Sequence, residues 1–329
     1  MSYHLSFHHK IIRHDEEIID IPSIDAHLHF VDFVQESDGM NQLIAHMDRA
    51  NIKKSVVFGL PVIKKWDYFE PKQPRYYLDD ETKCYYFSAT DYILALEYER
   101  LPKKKQNKIA PLLCGFNPTD RYSINYVERM FDQFPFWKGI GELLLRHDDL
   151  THLTQEEVAR INHPACFPLY EFCAKKNVPI LVHQNSSSIG DENGFLYLPE
   201  FEYVLKNFPK TQFIWAHCGI SRRIYHDHYP DILENLFKKY DNLSADISWI
   251  TYDEAICADS SKCIPQKAWV DVMMQFPDRF LIGSDMCGHF DAVGKAMARY
   301  NSLFKMEDFD SRTAHMIAYE NANNIYFNV

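Results

Sequence analysis

The sequence predicts an α/β protein built as a (β/α)8 TIM barrel, with a metal site at the C-terminal ends of its strands. Three observations carry that expectation. Eight short runs are rich in apolar and β-branched residues; stretches of helical period separate them; and a polar, ligand-type residue closes several of the runs. The runs are nearly continuously apolar rather than alternating, which suits strands buried on both faces. Parallel neighbours need a crossover connection, usually a helix, and eight strand–helix units close into a barrel. An open doubly wound sheet is the alternative. It lacks support, because Gly139-Ile140-Gly141 has no third glycine and lies inside a run rather than after it.

The eight expected strands are Ile24–Phe30, Lys53–Pro61, Ile109–Pro118, Lys138–Leu145, Val178–Asn185, Thr211–Gly219, Asn242–Trp249 and Arg279–Met286. Apolar residues at helical spacing mark the connections Met40–Ala50, Ile124–Phe134, Phe167–Lys176, Glu200–Asn207, Asp231–Tyr240 and Ala268–Phe276, several of them closed by Gly, Asn or Pro. The chain divides into an N-terminal extension, 1–23, and one barrel domain, 24–329. The second connection is longer than the others. Its extra material, about 62–108, is rich in aromatic and charged residues and includes a helical stretch at Thr90–Arg100. Loops that follow strands sit on the active face of a barrel, so this insertion is placed to wall or cover a pocket.

At 329 residues, with 46% hydrophobic and 25% charged, the chain can bury a large core and is not a disordered polymer. A net charge of −11 argues against nucleic acid or an anionic membrane as partner. No run reaches the ~18 apolar residues of a membrane span, and the first residues have no apolar signal core. The eight cysteines form no CxxC pair and read as reduced thiols, so a cytoplasmic protein is expected.

The chemistry begins at "IDAHLHF", Ile24–Phe30. On a strand, residues two apart project to one side, so His27 and His29 project together and Leu28 the other way. Two adjacent imidazoles can hold a metal ion or be merely polar; with 16 histidines, a second HxH (His226-Asp227-His228) shows that the pair alone decides nothing. The later runs add weight. Glu142, His183, His217 and Asp285 close the fourth, fifth, sixth and eighth. Burying so many ionisable groups at one end of a barrel is costly unless a cation or mutual pairing compensates.

"IDAHLHF", "KGIGEL", "VPILVHQ", "FIWAHCG" and "RFLIGSD", in this order and spacing, resemble the amidohydrolase superfamily. The resemblance is closer to the amidohydrolase-related branch that contains aminocarboxymuconate-semialdehyde decarboxylase and several lactone hydrolases. It runs from Ile24 to the end, where "IAYENANNIYF" is similar to the branch's closing helix, with Asn323 and Asn324 in place of the usual basic residues. The resemblance implies that His27, His29 and His183 ligate the metal and that Asp285 both ligates it and takes the proton of the attacking water. It implies that His217 is a ligand in two-metal members and orients the water in one-metal members. Glu142 matches the carboxylate that bridges two ions in related hydrolases, or acts from outside the metal's ligand set. Lys138 lies at the wrong end of its strand to be the modified lysine that other members use. The implied cofactor is one or two divalent ions: zinc first, with manganese or iron as alternatives.

The function this implies is metal-dependent hydrolysis of a small-molecule ester, lactone or amide, with Asp285 and His217 as catalytic groups. Nonoxidative decarboxylation of an unsaturated or aromatic acid is the alternative on the same site. Many decarboxylases of the branch replace the first His of HxH by Glu, and His27 is kept here. A ligand-binding barrel without catalysis is the third reading, and the full ligand set argues against it. For substrate binding the candidates are Arg222 and Arg223 after the sixth strand, and Arg75 and Trp66 in the insertion; arginine forks suit a carboxylate-bearing substrate. Arg146 and His147 follow the fourth strand, and Asp246 and Trp249 lie on the seventh. A homo-oligomer is expected by analogy with the branch.

Overall fold

In a computed structural model of the protein, residues 18–328 are described, except 68, 70, 78, 79, 81, 155, 192, 193 and 260–262. Most of the expected N-terminal extension, 1–17, lies outside the described residues.

Eight parallel strands follow the expected order. They are β1 (Ser23–His29), β2 (Ile52–Phe58), β3 (Ile109–Leu112), β4 (Ile140–Leu145), β5 (Ile180–Gln184), β6 (Phe213–Trp215), β7 (Leu243–Asp246) and β8, which comes in two pieces, Phe280–Leu281 and Met286–Cys287. Each is parallel to its neighbours, in the order β8–β1–β2–β3 and β4–β5–β6–β7–β8. Leu113 bridges to Ile140, joining β3 to β4, and Ala26 N–H donates to Ile282 O at 2.9 Å, joining β1 to β8, so the ring closes. Helices α1 (Met40–Arg49), α2 (Ala89–Glu99), α3 (Ser123–Gln133), α4 (Phe167–Lys176), α5 (Leu198–Asn207), α6 (Tyr229–Lys239), α7 (Lys267–Gln275) and α8 (Val293–Ala298) follow the strands in turn.

Two apolar layers result. Ile24, Ala26, Val56, Phe58, Ala110, Leu112, Leu181, Ile214 and Leu281 fill the barrel interior, and Ala322 and Tyr326 of the C-terminal helix join them as its floor. The larger layer lies between strands and helices. Floor and helices leave only the C-terminal ends of the strands open for a site.

The strands end sooner than the apolar runs do. β6 gives way after Trp215 to a tight turn over Ala216–Gly219, in which His217 and Cys218 have φ of 55° and 54°. β8 leaves the ladder over Ile282–Asp285 before resuming against β1. The expected insertion is an antiparallel hairpin, Val62–Lys64 with Cys84–Tyr86, followed by α2.

Candidate metal centre

β1 does not keep a plain alternation. Its register against β2 shifts between Asp25 and Leu28. Ile24 and Ala26 face the interior, yet His27, inside the bulge, and His29, beyond it, also face the barrel mouth, and Leu28 packs in the outer layer. Such a bulge re-aims the residues beyond it. Gly283 lets β8 come close: a Cβ there would lie 2.6 Å from that of His27. Asp25 Oδ1 ties the two strands by accepting the backbone N–H of Ser284 at 2.9 Å.

The predicted ligands converge. Asp285 Oδ1 lies 3.3 Å from Nε2 of both His27 and His29. Glu142 sits among all four histidines. Its Oε1 is 3.2 Å from His183 Nδ1, 3.5 Å from His217 Nε2 and 3.7 Å from His27 Nε2, and its Oε2 is 3.4 Å from His29 Nε2. His27, His29 and Glu142 form one group with metal-ligand spacing; Glu142, His183 and His217 form another, and His27, His217 and Asp285 a third.

Hydrogen bonds decide which nitrogens face inward. His29 Nδ1 is 3.0 Å from Gly59 O, which can only accept, so Nδ1 carries the proton. His27 Nδ1 is 3.0 Å from Asp246 Oδ2. Ser248 Oγ donates to Asp246 Oδ1 and so accepts from His217 Nδ1 at 2.9 Å. Asn185 Oδ1 accepts from His183 Nε2 at 3.1 Å. In the neutral rings, each remaining nitrogen then points a lone pair at a carboxylate, and among the described residues the buried His27 Nε2 has no hydrogen-bond partner. Lone pairs facing anions repel unless a cation lies between them, so four imidazoles and two carboxylates fit a divalent ion or a pair of them. Protons compete for the same place. Despite burial, Asp246 and Glu142 raise His27 well above its ordinary pKa, and Asp285 and Glu142 raise His29 to about 9. Against the same burial, the histidines hold Glu142 and Asp285 well below the usual carboxylate range.

The backbone is strained where the strands deliver these groups. Arg146, His217, Trp249 and Asp285 have φ of 45°, 55°, 58° and 55°. Such conformations cost on the order of 1–3 kcal/mol each and persist where the surroundings over-determine them.

Above the cluster is a cavity of about 30 Å³, lined among others by Phe33, Leu60, Tyr77, His147, Arg222 and Trp249. Arg222 lies over Trp249, 5.0 Å from its ring centroid, donates to Tyr77 Oη at 3.3 Å and pairs with Asp149 at 3.2 Å. Arg223 shares Asp149, but its side chain is 45% exposed and lines a neighbouring cavity with Arg222.

Two expected substrate residues fall elsewhere. Trp66 is 55% exposed and Arg75 is exposed, and neither lines the cavity. The reason lies in the hairpin. The buried Lys64 ammonium binds Asp80 at 2.6 Å and the backbone carbonyls of Arg75 and Tyr77, and this anchor brings Tyr77 to the cavity instead. The second HxH is no metal pair: His226 packs on Phe195 with centroids 4.7 Å apart, while the His228 side chain is 78% exposed beside Asp231. Cys287 lies within ligand distance of His29 and Asp285, but burial and Asp285 push its thiol well up, so it is no ready nucleophile. Gly59 O, Asn185, Ser248 and Tyr77 escaped the sequence reading. A carbonyl has no sequence signal, and the others are ordinary loop residues until the ring brings them together.

The sequence model of a family described as amidohydrolase matches residues 140–327. Solved structures share the barrel architecture. A dihydroorotase from Campylobacter jejuni is 17% identical, with a TM-score of 0.55 over 94% of this chain and 84% of that one. A dihydroxybenzoic acid decarboxylase from Polaromonas sp. JS666, with bound manganese and the inhibitor 2-nitroresorcinol, is 12% identical, with a TM-score of 0.57 over 93% and 96%. An amidohydrolase from Burkholderia multivorans with bound zinc is 11% identical, with a TM-score of 0.54 over 92% and 98%. No curated relative matches the chain.

Proposed function

The chain belongs to the amidohydrolase family of metal-dependent enzymes acting on small molecules, and from that premise we propose that it hydrolyses an ester, lactone or amide at a two-ion zinc site. The observation that supports this reading is the place of Glu142. One carboxylate stands between the His27–His29 pair and the His183–His217 pair, with Oε2 toward His29 and Oε1 toward His183, His217 and, at 3.7 Å, His27. A bridging carboxylate is the arrangement that holds two ions side by side. Imidazole and carboxylate donors suit zinc, and manganese or iron accept the same set.

When bound, the ions supply Lewis acidity, which makes a water acidic near neutral pH and polarises a carbonyl. The chain's own residues do the rest. His27, His29, His183 and His217 present lone pairs whose direction is fixed by Asp246, Gly59 O, Asn185 and Ser248. Asp285 keeps Oδ1 against His27 and His29, which leaves Oδ2 to take the attacking water's proton and pass it to the leaving oxygen or nitrogen. Tyr77, Arg222 and Trp249 roof the cavity and limit water. The Arg222 fork suits a carboxylate on the substrate.

The test is elemental analysis of protein purified without added metal or a metal-chelating tag, together with a panel of lactones, esters, amides and aromatic acids monitored for CO₂. Two ions per chain and hydrolysis without CO₂ are expected. One ion with CO₂ release from an aromatic acid would replace hydrolysis by decarboxylation.

A further inference from the structure

One group in the cavity wall has no part in holding a metal. His147 follows β4 directly after Arg146, whose left-handed backbone turns the chain inward. Its Nδ1 accepts the backbone N–H groups of Asp149 and Leu150, both at 3.1 Å. A ring nitrogen that accepts two N–H bonds holds a lone pair, so the proton is on Nε2. The ring is buried and lines the cavity, 4.4 Å from the ring of His183 and tilted 34° to it. Among the described residues, no group accepts a hydrogen bond from Nε2. The result is a fixed, unpartnered donor on a ring that lines the cavity. A cationic donor so close to a divalent ion would be repelled by it, whereas a neutral imidazole supplies a hydrogen bond without added charge.

We propose that the His147 Nε2–H holds the carbonyl or carboxyl oxygen of the substrate against the His183 side of the cavity. The enzyme thereby selects substrates that place a planar, acceptor oxygen there. This rests on the metal-dependent reading of the site. It adds a substrate contact to the ligand set and gives a reason for the turn after β4.

The test uses the full chain loaded with zinc, its zinc content measured, and acetohydroxamate as a carbonyl-bearing chelating probe. Nitrogen-15 spectra of the wild type read the tautomer and the response of His147 to the probe. Calorimetric titration compares wild type, His147→Gln, which keeps a donor, and His147→Leu, which does not. The expected result is a ring protonated on Nε2 whose resonance moves when the probe binds. Affinity should fall about tenfold in His147→Leu, less in His147→Gln, at equal zinc content. A ring protonated on Nδ1, a resonance the probe does not move, or equal affinity in all three proteins overturns the proposal and leaves the metal reading standing. A wild type that takes up no zinc overturns that reading, and the proposal with it. If His147→Leu does not fold, the wild-type resonance and His147→Gln still decide.

Discussion

Asp246 Oδ2 lies 3.0 Å from His27 Nδ1, with both side chains fully buried. Its other oxygen accepts from Ser248 Oγ, which orients His217, so one carboxylate sets two proposed ligands whose ring centroids lie 4.7 Å apart. Asp246→Asn keeps the shape but removes the charge and turns one of the two acceptor oxygens into an NH2 donor. Groups that orient metal-bound histidines typically contribute 10–100-fold to affinity, so zinc affinity should fall by about that factor. Competition against a chelator measures it, with circular dichroism to check the fold. Unchanged affinity would show that the His27 tautomer is set by something else.

Glu142→Gln removes the charge shared by the four histidines. Breaking a buried ionic partnership costs roughly 3–5 kcal/mol, more than a hundredfold in binding. Metal content should drop from the proposed two ions per chain to one or fewer. A variant that still holds two would place Glu142 outside the ligand set.

Much of this was legible in the sequence because strands buried on both faces leave continuous apolar runs. Phe167–Lys176 forms the helix the pattern predicted, and every predicted strand has a counterpart. Strand ends were less legible. Residues 216–219 continue the predicted strand run, yet the chain turns there, and Gly219 at φ 69° tolerates no Cβ, which would lie 1.8 Å from the Trp215 ring. Candidate ligand types at strand ends could be picked out directly, because protein ligands for such metals are mostly His, Asp, Glu and Cys. Trp66 and Arg75 could not be placed that way. Which insertion residue reaches the cavity depends on the buried Lys64 anchor, and a lysine in a charged loop gives no sign that it is buried.

Arg222 faces the cavity and Arg223 does not, and that contrast is testable once a carboxylate substrate is in hand. Arg222→Met should raise KM about tenfold or more, the value of a lost charge-assisted hydrogen bond. Arg223→Met, Arg75→Ala and Trp66→Ala should stay within about twofold, as surface changes usually do. Equal damage from Arg222→Met and Arg223→Met would mean that their shared partner Asp149, rather than Arg222 itself, matters.

On the proposed reading, protons and metal compete at His29. Its folded pKa is raised to about 9 from 6.5, with Asp285 and Glu142 overcoming the effect of burial. A raised histidine stabilises the fold fully below its unfolded value, and that stability is lost as pH rises through the folded one. Protein stripped of metal should therefore lose resistance to urea between pH 6.5 and about 9. Zinc-loaded protein should show no such loss, because the ion takes the proton's place, and zinc affinity should climb over the same window. Parallel pH curves for the two forms would contradict the shared position.

The opposite end of the barrel should be independent of the site. Tyr326 is fully buried in the floor beside Ala322, and among the described residues its hydroxyl has no hydrogen-bond partner. Two substitutions separate packing from polarity. Tyr326→Ala opens a cavity and should cost about 3–5 kcal/mol, as truncation of large aromatic residues in cores does. Tyr326→Phe keeps the ring and removes an unsatisfied buried hydroxyl, so it should be neutral or stabilising. Thermal unfolding with and without zinc reads both. Zinc per chain should be the same in all three folded proteins, because the proposed metal ligands stand at the mouth. Loss of zinc in folded Tyr326→Ala would show that the floor and the metal centre form one coupled unit.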